Sequence, residues 1–470
     1  MNSSVNSQYP INSHIDGVIH GLRSPISIKG RPPVRWTLSE RMEYYHVPGV
    51  SLAIIDDGHI VCNGGFGVKK TQTIGPVKAS TLFQAASISK PIAATAILGL
   101  VDTHKISLDE DINNYLKSWK IPENNYTVQE KVTLRRILSH SAGLTVHGFP
   151  GYSSDQPIPT LQQILDGEKP ANTSVIKVDT IPGSMWRYSG GGFTVIQQLL
   201  IDMINDRFPL IMKQMVLERT GMFLSTFEQP LPDSRSQEVA YGHNVKGESI
   251  EGNWHIYPEM AAAGLWTTPT ELARWALEIT GALNGHTGKL LSKSIAIQMM
   301  TIQKPPSGLG ILLEEKDKVF SFSHGGANEG FRSSLVMFPT EGKGAVIMTN
   351  GDQGGTLIDE LLPSIAAEYH WQGRNQSERE VVNLEASQIK GLIGTYSILN
   401  TPAPLSCEIS HQDGRLFFHI KDKGISSPTE IYASSIYEFF SLNGHTFVFT
   451  RDDMGQGIKI NFDSLEAIRQ

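Results

Sequence analysis

A serine and a lysine three residues apart, Ser87 and Lys90, have the spacing of a nucleophile and its base. An apolar segment, residues 81–86, leads into the pair, and residues 91–98 have the composition of a buried helix with proline in its first turn. Residues three apart share one face of a helix. Lys90 is therefore expected one turn from the Ser87 hydroxyl in a dry environment, where a lysine can accept a proton and make the serine nucleophilic.

The same Ser-x-x-Lys spacing occurs twice more in the chain, at Ser174 with Lys177 and at Ser387 with Lys390. Both pairs lie in polar surroundings with no long apolar helix after them. The spacing alone is therefore weak evidence, and the helical context is what favours Ser87.

Another serine motif, Ser-His-Ser-Ala-Gly at residues 139–143, approximates the nucleophile elbow of α/β-hydrolases with Ser141 as the nucleophile. That elbow requires a strand before the serine and a helix after it. Here Leu134, Ile137 and Leu138 lie on one helical face before the serine, and a loop containing glycine and proline follows it. The order of elements disfavours this alternative.

Tyr188 could share the removal of the Ser87 proton with Lys90. It lies in a turn-rich approach to a helix predicted to begin near Thr194, which would place it on a loop. A nearby ammonium favours the phenolate form of a tyrosine, which is then a base. A tyrosine that only packs its ring and bonds its hydroxyl is the common alternative.

A third segment, residues 319–324, alternates like a strand and runs into the glycine pair Gly325-Gly326. Glycines at such an edge let a substrate carbonyl approach the backbone. The N–H groups of Ala327 and Ser87 could then form an oxyanion hole, with His324 pointing into the same cleft. A surface histidine at a strand end is the alternative interpretation.

Taken in this order, the three segments resemble the serine β-lactamase-like family of class C β-lactamases, penicillin-binding proteins, D-alanyl-D-alanine carboxypeptidases, D-aminopeptidases and esterases. Ser87 and Lys90 match the Ser-x-x-Lys motif of this family, Tyr188 matches the tyrosine of Tyr-x-Asn, and residues 324–326 match a His-x-Gly form of Lys-Thr-Gly. The resemblance spans roughly residues 20–370. It implies catalytic roles for Ser87, Lys90 and Tyr188, and oxyanion or substrate-binding roles for Gly190, His324, Gly325, Gly326 and Ala327.

Two departures from the family pattern limit the substrates that we expect. Gly190 stands where the β-lactamases carry asparagine, so the amide that would orient Lys90 and hold a substrate amide is missing. His324 replaces a lysine and is mostly neutral at pH 7. Both changes predict poor turnover of β-lactams and weak binding of a substrate carboxylate.

Composition narrows the class of protein further. The net charge is −7, and without a basic run neither nucleic acid nor an anionic membrane is an expected partner. No apolar stretch has the length of a membrane span or a signal-peptide core, so we expect a cytoplasmic protein. Cys62 and Cys407 are expected to be buried thiols rather than a disulfide. No metal or organic cofactor is implied, and the oligomeric state stays open.

The pattern of elements predicts two domains, at residues 1–375 and 376–470. Strand patterns at both ends of the first domain, with helices between them, predict an α+β fold with one antiparallel sheet flanked by helices. The strand runs are 50–55, 60–62, 319–323, 332–338 and 344–349. Helix starts are expected at Thr37/Glu40, Ser107/Glu110 and Thr268/Glu271, and a closing helix at 357–369.

After a polar segment at residues 372–380, short alternating runs separated by glycine turns predict a small up-and-down β-barrel. It resembles the lipocalin-like C-terminal domain that some peptidases of the family carry. The barrel could be a structural appendage, or a lid or specificity element.

These patterns predict a serine hydrolase that acylates Ser87 with an amide or ester. The added β domain makes a peptide containing D-residues the first choice of substrate. A carboxylesterase or acyltransferase of the same fold is the enzymatic alternative. A non-catalytic protein that binds peptides or serves as a scaffold is the alternative of another class.

Overall fold

The computed structural model describes residues 6–7, 13–72, 75–286, 288–399, 401, 404–421, 428–463 and 465–470. Its described part packs as two compact units. The first consists of Met42–Ile358 with a short strand near the N-terminus, and the second consists of Ser13–Arg41 and Asp359–Gln470. The division into domains at residues 375 and 376 stays a prediction.

Strands occur in both units. Within the described residues they are β1 (Asn6–Ser7), β2 (Ile26–Ile28), β3 (Gly49–Asp56), β4 (His59–Gly67), β5 (Phe83–Gln84), β6 (Trp266–Thr267), β7 (Leu312–Lys316), β8 (Val319–Asn328), β9 (Phe331–Phe338), β10 (Lys343–Thr349), β11 (Ser377–Arg379), β12 (Gly394–Ile398), β13 (Leu405–Gln412), β14 (Arg415–Lys421), β15 (Thr429–Ala433), β16 (Glu438–Phe440), β17 (Thr446–Arg451), β18 (Gly457–Phe462) and β19 (Leu465–Arg469).

Helices dominate the stretch between β4 and β7. The α-helices are α1 (Ser13–Ile19), α2 (Leu38–Tyr44), α3 (Ser89–Asp102), α4 (Asn125–Gln129), α5 (Leu134–Leu138), α6 (Leu161–Asp166), α7 (Gly190–Ile204), α8 (Phe208–Met212), α9 (Met260–Ala263), α10 (Pro269–Asn284), α11 (Lys293–Met299), α12 (Gly354–Glu368) and α13 (Ala386–Lys390). Short 3-10 turns lie at Ala86–Ile88, Ile112–Asn114, Glu218–Thr220 and Asp233–Arg235, and a π-helical turn at Lys213–Leu217.

The first unit is built on a seven-stranded sheet in the order β1-β4-β3-β10-β9-β8-β7. Every pair of neighbours in it is antiparallel. Helix α10 packs on β3, β4, β9 and β10, while α3, α7 and α9 pack on one another. The predicted antiparallel sheet with flanking helices is confirmed, as is the hairpin of β3 and β4 around Asp57-Gly58.

Two of the three predicted helix starts are found. Thr37 and Glu40 exchange backbone-to-side-chain hydrogen bonds before α2, and the Thr268 hydroxyl accepts the N–H of Glu271 at the start of α10. The motif at Ser107 and Glu110 does not begin a helix. There Ser107 Oγ accepts the N–H of Asp109, and the Glu110 carboxylate accepts the hydroxyl of Tyr115. These local bonds stabilise a turn instead.

Helix α7 begins at Gly190 rather than near Thr194, although a run of three glycines occupies its first turn. Ser189 caps the helix, since its Oγ accepts the N–H of Gly192 at 2.9 Å. A Cβ at Gly191 would lie 2.5 Å from the carbonyl oxygen of Thr145. The helix therefore uses glycine for close packing, which outweighs the low helical propensity of glycine.

The second unit contains the predicted barrel. Strands β12 to β19 pair antiparallel in chain order, and β12 closes on β19 through Tyr396 opposite Arg469. Mostly aromatic and branched side chains fill its core, namely Tyr396, Ile409, Phe418, Phe439, Phe447, Phe449, Ile460 and Phe462. The polar segment before the barrel contributes β11, which pairs parallel with β2. That pairing joins residues about 350 positions apart, so local patterns could not predict it.

Cys62 and Cys407 are both buried free thiols, which confirms the expectation for them. Among the described residues, no helix combines the length and the apolar character that crossing a membrane requires.

Candidate active site

Ser87 lies in the 3-10 turn Ala86–Ile88, which continues directly into α3. In residues 81–98 it is the one residue that is not buried. The preceding residue, Ala86, has a φ of +50°, a left-handed conformation that costs an alanine roughly 1–2 kcal/mol. The surrounding packing therefore holds a strained turn that presents one hydroxyl at the surface.

Lys90 contacts Ser87 directly. Its Nζ lies 3.0 Å from Ser87 Oγ and donates a second hydrogen bond to the carbonyl oxygen of Ala262 in α9, at 2.8 Å. The lysine is only 2% exposed. The structure thus brings together the two side chains that the spacing predicts, and the Ala262 carbonyl fixes the direction of the amine.

Tyr188 lies beside the same amine. The centroid of its ring is 5.0 Å from Lys90 Nζ, and the residue is partly exposed in a segment without regular secondary structure before α7. Its ring stacks on His140 with centroids 4.3 Å apart, and lies 6.2 Å from the ring of His324. The loop position predicted for Tyr188 is therefore found. The tyrosine ring lies near the Lys90 amine and near the rings of His140 and His324.

His324 is a neutral hydrogen-bond acceptor in this cluster. Its Nδ1 is 2.7 Å from the carbonyl oxygen of Gly325, and because a carbonyl can only accept, Nδ1 carries the proton. Burial, and then the charge of Lys90, lowers the pKa of His324 to about 4. Its Nε2 is buried and has no hydrogen-bond partner among the described residues. The ring therefore offers a lone pair, and the surface position considered above is wrong, since His324 is 4% exposed.

The strand edge that carries His324 approaches the nucleophile closely. The pairing of β7 with β8 ends at Ser323, and the turn that carries Ser87 packs against β8. A Cβ at Gly326 would lie 2.2 Å from the carbonyl oxygen of Ala85 and 2.3 Å from Ser333 Oγ. Gly326 thus permits the approach of the two segments. Gly325 and Ala327 are exposed, and the oxyanion hole stays a prediction.

The model of the family described as "Beta-lactamase" matches residues 34–368, more than two thirds of the chain. The chain belongs to the Beta-lactamase family. Protein flp of Staphylococcus aureus (strain N315) is 21% identical over 367 residues, which covers 76% of this chain and 69% of that protein. The resemblance seen in the sequence is confirmed, and so is the prediction of a β-lactamase-like hydrolase at the level of the family.

The fold is shared with solved structures, among them the two that follow. An octameric penicillin-binding protein homologue from Pyrococcus abyssi superposes with a TM-score of 0.64 at 18% identity, covering 92% of this chain and 98% of that one. The D-amino acid amidase of Ochrobactrum anthropi SV3 superposes with a TM-score of 0.58 at 19% identity, covering 70% of this chain and 97% of that one. Likeness at this identity establishes the fold alone.

Gly190 is where this member of the Beta-lactamase family departs from the asparagine pattern. It is buried in the first turn of α7, and its N–H donates to the carbonyl oxygen of His147 at 3.0 Å. A Cβ there would lie 3.0 Å both from that oxygen and from the ring of Phe149. An asparagine at position 190 would therefore require its neighbours to move. The local packing thus favours glycine over asparagine at this position.

Sequence reasoning missed two residues near this site. His140, which stacks on Tyr188, was considered only as part of the elbow motif, and no local signal distinguishes it. Glu259 precedes α9 with its carboxyl fully buried, and burial raises the pKa of that carboxyl to about 8. The alternative nucleophile, Ser141, is buried, and its Oγ lies 3.0 Å from Ser139 Oγ. Helix α5 precedes it where a nucleophile elbow requires a strand, so Ser141 does not lie in such an elbow.

Proposed function

We propose that the protein forms an acyl-enzyme on Ser87 with amides or esters that carry no carboxylate beside the scissile bond, and that D-aminoacyl amides and peptides are its first substrates. The contact of 3.0 Å between the buried Lys90 Nζ and the partly exposed Ser87 Oγ carries this proposal. A buried amine held by a backbone carbonyl needs a reason, and activation of the adjacent hydroxyl supplies one.

The chemistry follows from the order of the groups. Tyr188 and Lys90 act together as one base: as Ser87 Oγ attacks the substrate carbonyl carbon, its proton moves to the Tyr188 phenolate, which the Lys90 ammonium stabilises. Backbone N–H groups of Ser87 and Ala327 stabilise the negative oxygen that forms. The departing amine or alcohol then receives the proton, and water releases the acyl group by the same steps in reverse order.

The neutral His324 supports substrates without a nearby carboxylate. Where other members of the family carry a lysine ammonium, this site has a buried neutral imidazole, which supplies no positive charge to bind a substrate carboxylate. The structural similarity to a D-amino acid amidase of Ochrobactrum anthropi supports aminoacyl amides as the substrate class.

A kinetic panel tests the proposal. Purified protein is assayed with p-nitroanilides of D- and L-alanine, with p-nitrophenyl acetate, and with one D-residue peptide prepared both as the free acid and as the carboxamide. We expect the D-anilide and the carboxamide to be the better member of each pair. Ser87→Ala should abolish all turnover, while the matched variant Ser141→Ala should keep it.

Other outcomes of the panel separate the alternatives. Turnover of esters with none of amides would identify a carboxylesterase, and release of acyl groups only to an added amine would identify an acyltransferase. Absence of all turnover would favour a binding or scaffold protein. Faster turnover of the free-acid peptide would contradict the role given to His324.

A further inference from the structure

We propose that His140 is a positioning residue that holds Tyr188 in place for proton transfer between Ser87 and Lys90. The inference rests on the proposed role of Tyr188 in that transfer. In the described structure His140 makes no hydrogen bond to the side chain of Ser87 or Lys90. It would act through Tyr188.

The backbone on both sides of Tyr188 is bonded to His140. The N–H of Arg187 donates to the His140 carbonyl oxygen at 2.7 Å, and the N–H of Ser189 donates to His140 Nδ1 at 3.1 Å. One residue thus accepts both peptide donors that flank the tyrosine. Displacement of Tyr188 along its own segment would break at least one of these bonds.

The ring of His140 also covers one face of the phenol. The two rings are stacked at 4.3 Å with 30° between their planes, and His140 itself is 4% exposed. Phe193 and Trp186 lie against the same imidazole at 5.6 and 6.4 Å, so the ring cannot yield to movement of the tyrosine.

The bond from Ser189 requires a neutral imidazole. Nδ1 accepts in that bond, so it carries no proton. Burial, followed by the charge of Lys90, holds the pKa of His140 well below its ordinary value. The acceptor is therefore preserved at the pH where the enzyme would work, and no second cation forms beside Lys90.

The backbone of His140 guides the choice of variants. Its φ is +55°, a left-handed conformation that asparagine and glycine tolerate better than most residues. His140→Asn keeps this backbone and supplies an oxygen acceptor close to the place of Nδ1. His140→Gly keeps the backbone but removes both the acceptor and the ring. Comparison of the two therefore isolates the side chain from backbone strain.

His147 provides a matched control. It is a second histidine against the ring of Tyr188, with centroids 5.0 Å apart, but it is exposed. If simple contact with the tyrosine were enough, His147→Ala and His140→Gly would have similar effects. We expect His147→Ala to stay within about threefold of the wild-type rate, because its loss leaves both backbone bonds intact.

The deciding experiment is a double-mutant cycle with Tyr188→Phe, which removes the hydroxyl and keeps the stacked ring. The readouts are kcat and KM on p-nitrophenyl acetate and the rate of Ser87 labelling by a fluorophosphonate. We expect His140→Gly to lower kcat about 100-fold with little change in KM, since a displacement of ~1 Å has that effect. His140→Asn should recover at least about a tenth of the wild-type rate. In the Tyr188→Phe background, His140→Gly should cost less than about twofold.

Several results would overturn the inference. A full loss from His140→Gly in the Tyr188→Phe background would show that His140 acts elsewhere, and so would an asparagine variant no better than the glycine variant. If the glycine variant does not fold, the cycle is run with His140→Asn, whose smaller loss must likewise vanish beside Tyr188→Phe. A Tyr188→Phe enzyme as active as wild type would instead contradict the proposed role of Tyr188. This outcome is measured on the single variant, without any change at His140.

Discussion

The close approach of β8 to the turn that carries Ser87 can be tested by adding one methyl group. Gly326→Ala would place a Cβ 2.2 Å from the carbonyl oxygen of Ala85, two residues before the nucleophile. That oxygen already accepts a hydrogen bond from Ser333 Oγ at 2.9 Å. Both sides of this contact are backbone, which cannot move aside as the end of a flexible side chain can. The clash must therefore separate the two segments.

The size of the effect follows from this distance. Carbon and oxygen atoms seldom approach closer than about 3.3 Å, so the segments must separate by roughly 1 Å. Overpacking of this kind costs about 1–3 kcal/mol of stability. A displacement of ~1 Å at reacting groups lowers a rate about 100-fold. We therefore expect a folded enzyme with kcat/KM reduced by about two orders of magnitude.

Gly64→Ala is the matched control, on strand β4 of the same sheet and outside the candidate site. A Cβ at Gly64 would meet its nearest neighbour, the ring of Phe66, at 3.8 Å, an ordinary contact. Its rate on p-nitrophenyl acetate should stay within about threefold of wild type, and thermal unfolding should show that both variants are folded. Equal rates for the two variants would refute the close approach as a requirement of the site.

Three further predictions concern the same unit. Because Lys90 and Tyr188 are proposed to act as one proton-transfer unit, replacing both should lower kcat little more than the worse single variant, and fully additive losses would show independence. Nitrocefin should be hydrolysed far more slowly than the best ester, because Gly190 and His324 replace the amide and the ammonium; equal rates would contradict this. Burial raises the pKa of Glu259 from 4.5 to about 8 in the folded state, so the free energy of unfolding falls as the pH rises through this window. Glu259→Gln should therefore be more stable than wild type by a margin that grows to roughly 3–5 kcal/mol at pH 8, measured by urea unfolding at pH 4.5 and pH 8. A margin independent of pH would show that Glu259 ionises freely.

Local patterns were enough to predict the contact between Ser87 and Lys90. Three residues along a helix bring two side chains to the same face whatever surrounds them, so the spacing and the apolar run that follows carry the information. The strands of the barrel were predictable for a similar reason, since alternation and glycine turns reflect local geometry.

The features that the sequence could not predict depend on contacts between segments that are distant along the chain. His140 acquires its place because the segment around Tyr188 folds back on it, and nothing beside it in the chain indicates a stack. The start of α7 was misplaced because glycine propensity opposes a helix there, whereas packing against Thr145 requires glycine. The parallel pairing of β2 with β11 joins a segment near the N-terminus to the segment before the barrel, and it likewise has no local signal in the sequence.

Mass spectrometry of the protein after reaction with a fluorophosphonate tests the nucleophile most directly. The wild-type protein should gain one adduct, and peptide mapping should place it on Ser87. Ser87→Ala should gain no adduct while remaining folded. Lys90→Ala should react much more slowly, because the Ser87 hydroxyl has lost the amine that lies 3.0 Å away in the wild-type protein. An adduct on Ser141, or undiminished labelling of Ser87→Ala, would contradict the assignment of Ser87 as the nucleophile.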